Sequence, residues 1–311
     1  MTKAMDLRDN RHELVAVNVA GQVAPARIHA EVLLVDEGGR SMLLPGTGGV
    51  NLGVHTGDPV ANWIADHLMP GASIEDANGE PAVAGPLHLL SCVGNGVRDG
   101  KGRRIGVVSG KRGGLAPGGW APQLVGVEIP DTVAQTLCPH DRIVVETVGR
   151  GLRLAEWPDV ELINLSPGML DALPMQVRNG TLSCPVRAVV PATMAGAGLG
   201  QDSWIGDLEI AGDECSDGRL DGLCFGDLVA FEAIDGRVSR FYRPGVLSIG
   251  VVSHGPSHVP GHGIGVTILL SAPVEFLSGT VSQEGSVGAI LRQWAEDGTA
   301  PHTRHAGGED D

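Results

Sequence analysis

Short apolar runs alternate with tight polar breaks along this chain. LVAVNVA (14–20), EVLLVD (31–36), RRIGVVSG (103–110), LVGVEI (124–129), RIVVETVG (142–149), VELINLS (160–166), DLVAFEA (227–233), VLSIGVVS (246–253) and IGVTILLS (264–271) have strand length and β-branched content. Asn179-Gly180 and Asp235-Gly236 are dipeptides that suit hairpin turns. Helical pattern is scarcer. DTVAQTLC (131–138) follows Pro130, and SPGMLDAL (166–173) offers Ser166 as N-cap with Pro167 at the first helical position. SVGAILRQWAED (286–297) has Ser286 as a cap, and DPVANWIADHL (58–68) is a further helical candidate flanked closely by glycine and proline. The pattern predicts an α+β fold that is β-rich, with mixed or antiparallel sheets or barrel-like halves and a few short helices. A break near 180–195 separates an N-terminal β-rich domain, 1–185, from a C-terminal one, 186–297. The polar tail, 298–311, is expected to be disordered.

Composition narrows the partners. Aromatic residues make up only 3% of the chain, so the core must be built from Val, Leu, Ile and Ala, and base stacking on rings is a poor prospect. The formal charge of −15 repels phosphate backbones, which argues against nucleic acid. No run of about 18 apolar residues offers a membrane span. The five cysteines, Cys92, Cys138, Cys184, Cys215 and Cys224, form no CxxC pair and read as reduced thiols. The first 21 residues lack the apolar stretch of a signal peptide. A cytoplasmic enzyme is expected, with homo-oligomerisation as the default for that class.

Three stretches carry candidate chemistry. In VVSHGPSHVPGHGIGV (251–266), His254, His258 and His262 are spaced by four, but the intervening glycines and prolines forbid a helix. The segment reads as strand, loop, strand, with His254 at a strand end and His262 between two glycines. GVHTGDPVANWIADHLMPG (53–71) brings His55, Asp58, Asp66 and His67, an arrangement in which a carboxylate binds metal or orients an imidazole. AGAGLGQDSWIGDLEIAGDE (195–214) offers the backbone N–H groups around Gly196, Gly198 and Gly200 as an anion cradle. The same stretch offers Asp207, Glu209, Asp213 and Glu214 as hard oxygen ligands.

Together these stretches predict one pocket at the junction of the two halves. His254, His262 and Asp58 are its catalytic candidates. His254, His262, His67, Asp66 and Asp207 would hold a divalent ion, Zn, Mn or Mg. The expected substrate is a small polar metabolite, and the expected chemistry is hydrolysis of an amide-type C–N bond. Two alternatives stand beside this. A histidine could act as the base of a metal-free isomerase or lyase, or the chain could be a non-enzymatic ligand-binding or assembly protein. SGKRGG (109–114) is no phosphate-binding loop, because Arg112 stands where Ser or Thr is required.

LPGTGGVNLGVHTGDPVANWIADHLMPGASI (44–74), LLSCVGNGVRDGKGRRIGVVSGKRGG (89–114), DRIVVETVGRGLRL (141–154), MAGAGLG (194–200), LCFGDLVAF (223–231) and GVLSIGVVSHGPSHVPGHGIGV (245–266) together resemble the family filed as domain of unknown function 4438. The likeness runs from about residue 12 to 296 and implies no particular reaction. The family pattern is closer to His-Ser-Asp where this chain has His254-Gly255-Pro256, has a proline at Ile264, and often has an arginine at Cys224. A local likeness over 244–263 joins the chain to the acetamidase/formamidase family, which implies hydrolysis of small amides. The acids of that family's turn are missing here, and His262 lies near their place.

Overall fold

A computed structural model describes residues 7–27, 34–35, 41–42, 44–77, 85–114, 122–211, 218, 220–257, 259 and 261–299. The first half builds strands β1 (Val17–Val23), β2 (Leu34–Val35), β3 (Ser41–Met42), β4 (Val50–Asn51), β5 (Gly71–Glu75), β6 (Gly96–Asp99), β7 (Arg104–Arg112), β8 (Leu124–Glu128) and β9 (Arg142–Thr147). The second half builds β10 (Glu161–Leu162), β11 (Gln176–Arg178), β12 (Thr181–Val186), β13 (Ala188–Val190), β14 (Leu208–Ala211), β15 (Leu228–Asp235), β16 (Phe241–His254), β17 (Gly263–Pro273) and β18 (Leu277–Val281). Four short helices join them: α1 (Pro86–Leu90), α2 (Asp131–Ala134), α3 (Pro167–Ala172) and α4 (Gly288–Asp297).

The first sheet is antiparallel in the order β1-β9-β6-β7-β8-β5-β4, and β1 also pairs with β5. That extra pairing closes six strands into a barrel and removes their open edges. The second sheet runs β10-β17-β16-β15-β13, with β14 also on β17, and is mixed because β13 lies parallel to β15. A third sheet, β11-β12-β18, joins residues 176–186 to the C-terminal strand. The expected β-rich α+β fold with a barrel-like half is therefore the observed one. The sheets divide between residues 147 and 161, ahead of the expected boundary at 185. β10 and β12 find their hydrogen-bonding partners in β17 and β18, not in the barrel.

The halves share a core. Val93 and Val107 pack in one apolar cluster with Leu182, Leu228, Ile249, Val251, Leu269 and Leu291. Polar stitches cross the same junction: the Lys111 N–H donates to Thr267 Oγ1 at 2.8 Å, and Ser253 Oγ donates to the Lys111 carbonyl at 3.2 Å. No helix of the described residues is long and apolar enough to cross a membrane.

Helix α3 begins as its sequence predicts. Ser166 Oγ accepts the Met169 N–H at 3.1 Å, and Pro167 occupies the first turn, where a missing donor costs nothing. Ser166→Ala should lower the unfolding free energy by about 1 kcal/mol in urea melts, the ordinary worth of such a cap. Residues 58–68, in contrast, form no helix. The N–H groups of Val60, Asp66 and His67 bond to the carbonyls of Leu223, Pro45 and Pro256, and Asn62 and His67 adopt left-handed φ values of 75° and 51°. Tertiary partners claim the donors that a helix would need. The tail beyond 299 lies outside the described residues, as do His258, Asp213, Glu214 and Cys215.

Candidate metal centre

Three chain segments converge on one buried cluster. The first is the loop before β5, which carries Asp66 and His67. Backbone bonds from His67 N to the Pro256 carbonyl (3.1 Å) and from Gly255 N to the Leu68 carbonyl (2.8 Å) fasten this loop to the end of β16. The second is the Asp207–Glu209 stretch entering β14. The third is the β16–β17 connection, with His254 and His262.

Sheet register explains why two of these groups face one another. Gly265 on β17 lies opposite Glu209 on β14 and also opposite His254 on β16. Residues directly opposite in an antiparallel ladder share a face. Position 265 thus stands between two functional side chains, and its missing side chain is the space they occupy. A Cβ there would overlap the His254 ring and stand 2.6 Å from Asp207 Oδ2.

Two of the imidazoles, His67 and His254, are anchored through Nδ1. His67 Nδ1 lies 2.8 Å from Asp66 Oδ2, and the other oxygen of Asp66 accepts Ser257 Oγ at 2.8 Å. That arrangement places the Nδ1 proton of His67 toward Asp66 and leaves its Nε2 lone pair pointing inward. His254 Nδ1 donates to the Gly255 carbonyl at 2.7 Å, and Nε2 lies 2.8 Å from Asp207 Oδ2. Both of its nitrogens face acceptors, so the ring is doubly protonated while Asp207 is its Nε2 partner. Burial opposes that charge, but the Asp207 carboxylate outweighs it and raises the His254 pKa. Burial and the Arg112 charge act the other way on His67, whose pKa falls; it stays neutral, as a metal ligand must be. The bond to Glu209 raises His262.

Glu209 stands at the centre. Its Oε1 is 3.0 Å from His262 Nδ1, 3.6 Å from His67 Nε2 and 4.0 Å from His254 Nε2, while Oε2 accepts the Gly263 N–H at 2.7 Å. His67 Nε2 and His262 Nδ1 are 3.3 Å apart. Ligands held at about 2.1 Å from a small divalent ion stand roughly 3.0–3.4 Å from one another, and the His67, Glu209 and His262 atoms, 3.0, 3.3 and 3.6 Å apart, come close to that spacing. His254, Asp207 and Glu209 form a second such group that shares Glu209. Although burial disfavours its charge, the bond from His262 and the charge of nearby His254 hold Glu209 far below the usual carboxylate range.

The expected site residues separate cleanly. His67, His254, His262 and Asp207 meet at this centre. Asp66 stands behind His67 and orients it. Asp58, expected to be catalytic, spends its carboxylate on the His55 N–H at 2.8 Å in a turn. Of the glycines at 196, 198 and 200, expected to offer an anion cradle, two have their N–H groups engaged by backbone carbonyls. Gly196 N, Ala197 N and Gly200 N already donate to the carbonyls of Glu209, Gly261 and Arg240. A Cβ at 196 would strike Ala211, and one at 198 would strike the Asp207 carbonyl, so these glycines permit close packing beside β14.

Pattern reading missed the support of this centre. The carbonyls of Ser203, Trp204 and Ile205 accept from Asn164 Nδ2 (2.8 Å), Lys111 Nζ (3.0 Å) and Arg240 Nη1 (2.9 Å), and Gly206 N donates to His88 Nε2 (2.8 Å). Four consecutive backbone groups leading into Asp207 are held by buried side chains. Burial pushes Lys111 down to about 7.

A separate pair lies on the barrel. His55 Nδ1 is 2.8 Å from Glu128 Oε1, and the Thr56 N–H donates to Glu128 Oε2 at 2.7 Å. Burial opposes the charge on His55, but the Glu128 bond prevails and raises its pKa. Stability from a raised histidine is complete below its unfolded value, about 6.5, and is lost as pH climbs through the folded value. Thermal melts should therefore show His55→Gln costing more at pH 6 than at pH 9.

Sequence models of the family described as domain of unknown function (DUF4438) match this chain in two adjoining pieces, the N-terminal part over residues 33–171 and the C-terminal part over 172–291. The chain belongs to the DUF4438 family. Among solved structures, it is similar to the crystal structure of TM1086, at 32% identity and a TM-score of 0.83, over 92% of this chain and 99% of that one. No curated protein matches. The family assignment agrees with the motifs at 44–74 and 245–266, which carry the imidazoles of the centre.

Proposed function

We propose that this DUF4438 protein is a metal-dependent hydrolase of a small polar substrate with an amide-type C–N bond. One observation carries the metal: His67 is anchored at Nδ1 by Asp66, which turns its Nε2 toward His262 Nδ1 at 3.3 Å and Glu209 Oε1 at 3.6 Å. Anchoring of the outer nitrogen by a carboxylate or carbonyl is the common arrangement of metal-bound histidine. His67, His262 and Glu209 would hold the ion, with His254 and Asp207 beside it. An imidazole-rich donor set favours zinc over magnesium. Such an ion acidifies bound water and polarises a carbonyl. The His254–Asp207 pair, whose proton lies between Nε2 and Oδ2, would be the source of the proton that a leaving nitrogen needs. The amide-type bond rests on the local likeness of 244–263 to acetamidase/formamidase.

The test is elemental analysis of the purified protein, followed by assays against small amides with and without added zinc or manganese. One equivalent of ion per chain and metal-dependent amide cleavage are expected. Protein that carries no ion, and whose melting and turnover ignore added ions, overturns the proposal.

A further inference from the structure

Arg112, the last residue of β7, is 3% exposed. Its Nε and Nη1 have no hydrogen-bond partner among the described residues. Buried donors are almost always satisfied, and an unmade bond to a charged group is costly, so the exception calls for a reason. The other buried cations near the centre are structurally engaged. Lys111 donates to Asn164 and Trp204, and Arg240 donates to the Gly198 and Ile205 carbonyls.

Arg112 lies beside the metal centre. The next residue, Gly113, donates its N–H to Asp207 Oδ1 at 2.9 Å. The charges of Glu209, Asp207 and Asp66 all act on the guanidinium, and it in turn acts on His67, His254 and His262. No ion pair joins Arg112 to those carboxylates within 4.0 Å among the described residues. They are occupied by His67, His254, His262, Ser257 and the N–H groups of Gly113 and Gly263. The guanidinium is therefore buried next to the residue that bonds Asp207, within electrostatic reach of the centre, with donors to spare.

We infer that Arg112 receives a carboxylate of the substrate, so that the substrates are small amides bearing a carboxylate, such as N-acyl amino acids. This rests on the hydrolase reading above for the scissile bond, but not for the anion. Arginine keeps its charge when buried and suits carboxylates. A monoanion fits better than a dianionic phosphate, because Asp66, Asp207 and Glu209 already place negative charge around the same point.

The experiment is calorimetric titration of the full chain, with and without one equivalent of zinc, using N-acetylglycine and its neutral counterpart N-acetylglycinamide. Wild type should prefer the carboxylate by about tenfold or more, the worth of one charge-assisted hydrogen bond. Arg112→Met should lose that preference at unchanged zinc stoichiometry, and Arg112→Lys should recover part of it. Equal binding of the two probes by wild type, no binding of either, or a preference that survives in Arg112→Met each overturns the inference. The wild-type comparison needs no variant to fold. Equal, Arg112-dependent binding of inorganic phosphate overturns the choice of a carboxylate. Zinc stoichiometry reports separately on the metal proposal, so the two can fail independently.

Discussion

Glu209→Gln is expected to abolish tight divalent-ion binding and, with it, metal-dependent turnover. Glu209 is common to both groups of ligand atoms, and its Oε1 lies within 4.0 Å of three imidazole nitrogens. The amide is nearly the same size, so folding should survive, but it brings no negative charge to an ion and turns an N–H₂ toward the cluster in one of its orientations. Removing an outer-shell partner costs about 10–100-fold in metal affinity, so loss of a ligand should exceed about 100-fold. Zinc titration at pH 7.5 reads the effect directly. The same titration should weaken as pH falls, because His262, raised by its bond to Glu209, must surrender a proton before an ion can take its nitrogen. An affinity unchanged in Glu209→Gln would remove Glu209 from the centre.

Gly265→Ala should be as damaging to the site without deleting any polar group. The added methyl would overlap the His254 ring and crowd Asp207 Oδ2. His254 has no exposed direction in which to retreat, being 0% accessible between β14, β16 and β17. Overpacking of this kind costs about 1–3 kcal/mol. The more telling result is functional: ion binding should fall while circular dichroism keeps its β signature. Gly250→Ala on β16, which would crowd the Thr267 backbone and Val266, should destabilise the sheet and leave ion affinity per folded molecule intact. If both variants bind ions equally, the argument from Gly265 fails.

Much of this molecule is legible in its sequence, for identifiable reasons. Strands β7, β8, β9, β15, β16 and β17 announce themselves because they are β-branched runs bounded by glycine or proline turns. Strands such as β4, β5, β6 and β14 do not, since their pairing depends on neighbours that are distant in the chain. The imidazoles at 67, 254 and 262 could be picked out because each sits at a strand end or glycine-lined loop. Glu209 was visible only as one acid of four. The register that aims it, through Gly265 to His254, is a long-range fact that no local spacing encodes. Arg112 reads locally as part of a basic patch with Lys101, Arg103, Arg104 and Lys111. The bulge between Val108 and Gly110 and the burial of β7 separate it from the surface arginines. Asp58 misled because an acid next to a proline looks the same whether it serves a turn or a substrate.

The docking of residues 66–67 onto the end of β16 has a practical meaning for how this protein is handled. An ion clasped by His67 from one half and by Glu209 and His262 from the other would act as a rivet across the molecule. Chelator treatment should then loosen the 61–68 segment ahead of everything else. A protease such as chymotrypsin, which needs an aromatic residue presented on a yielding loop, should find Trp63 first.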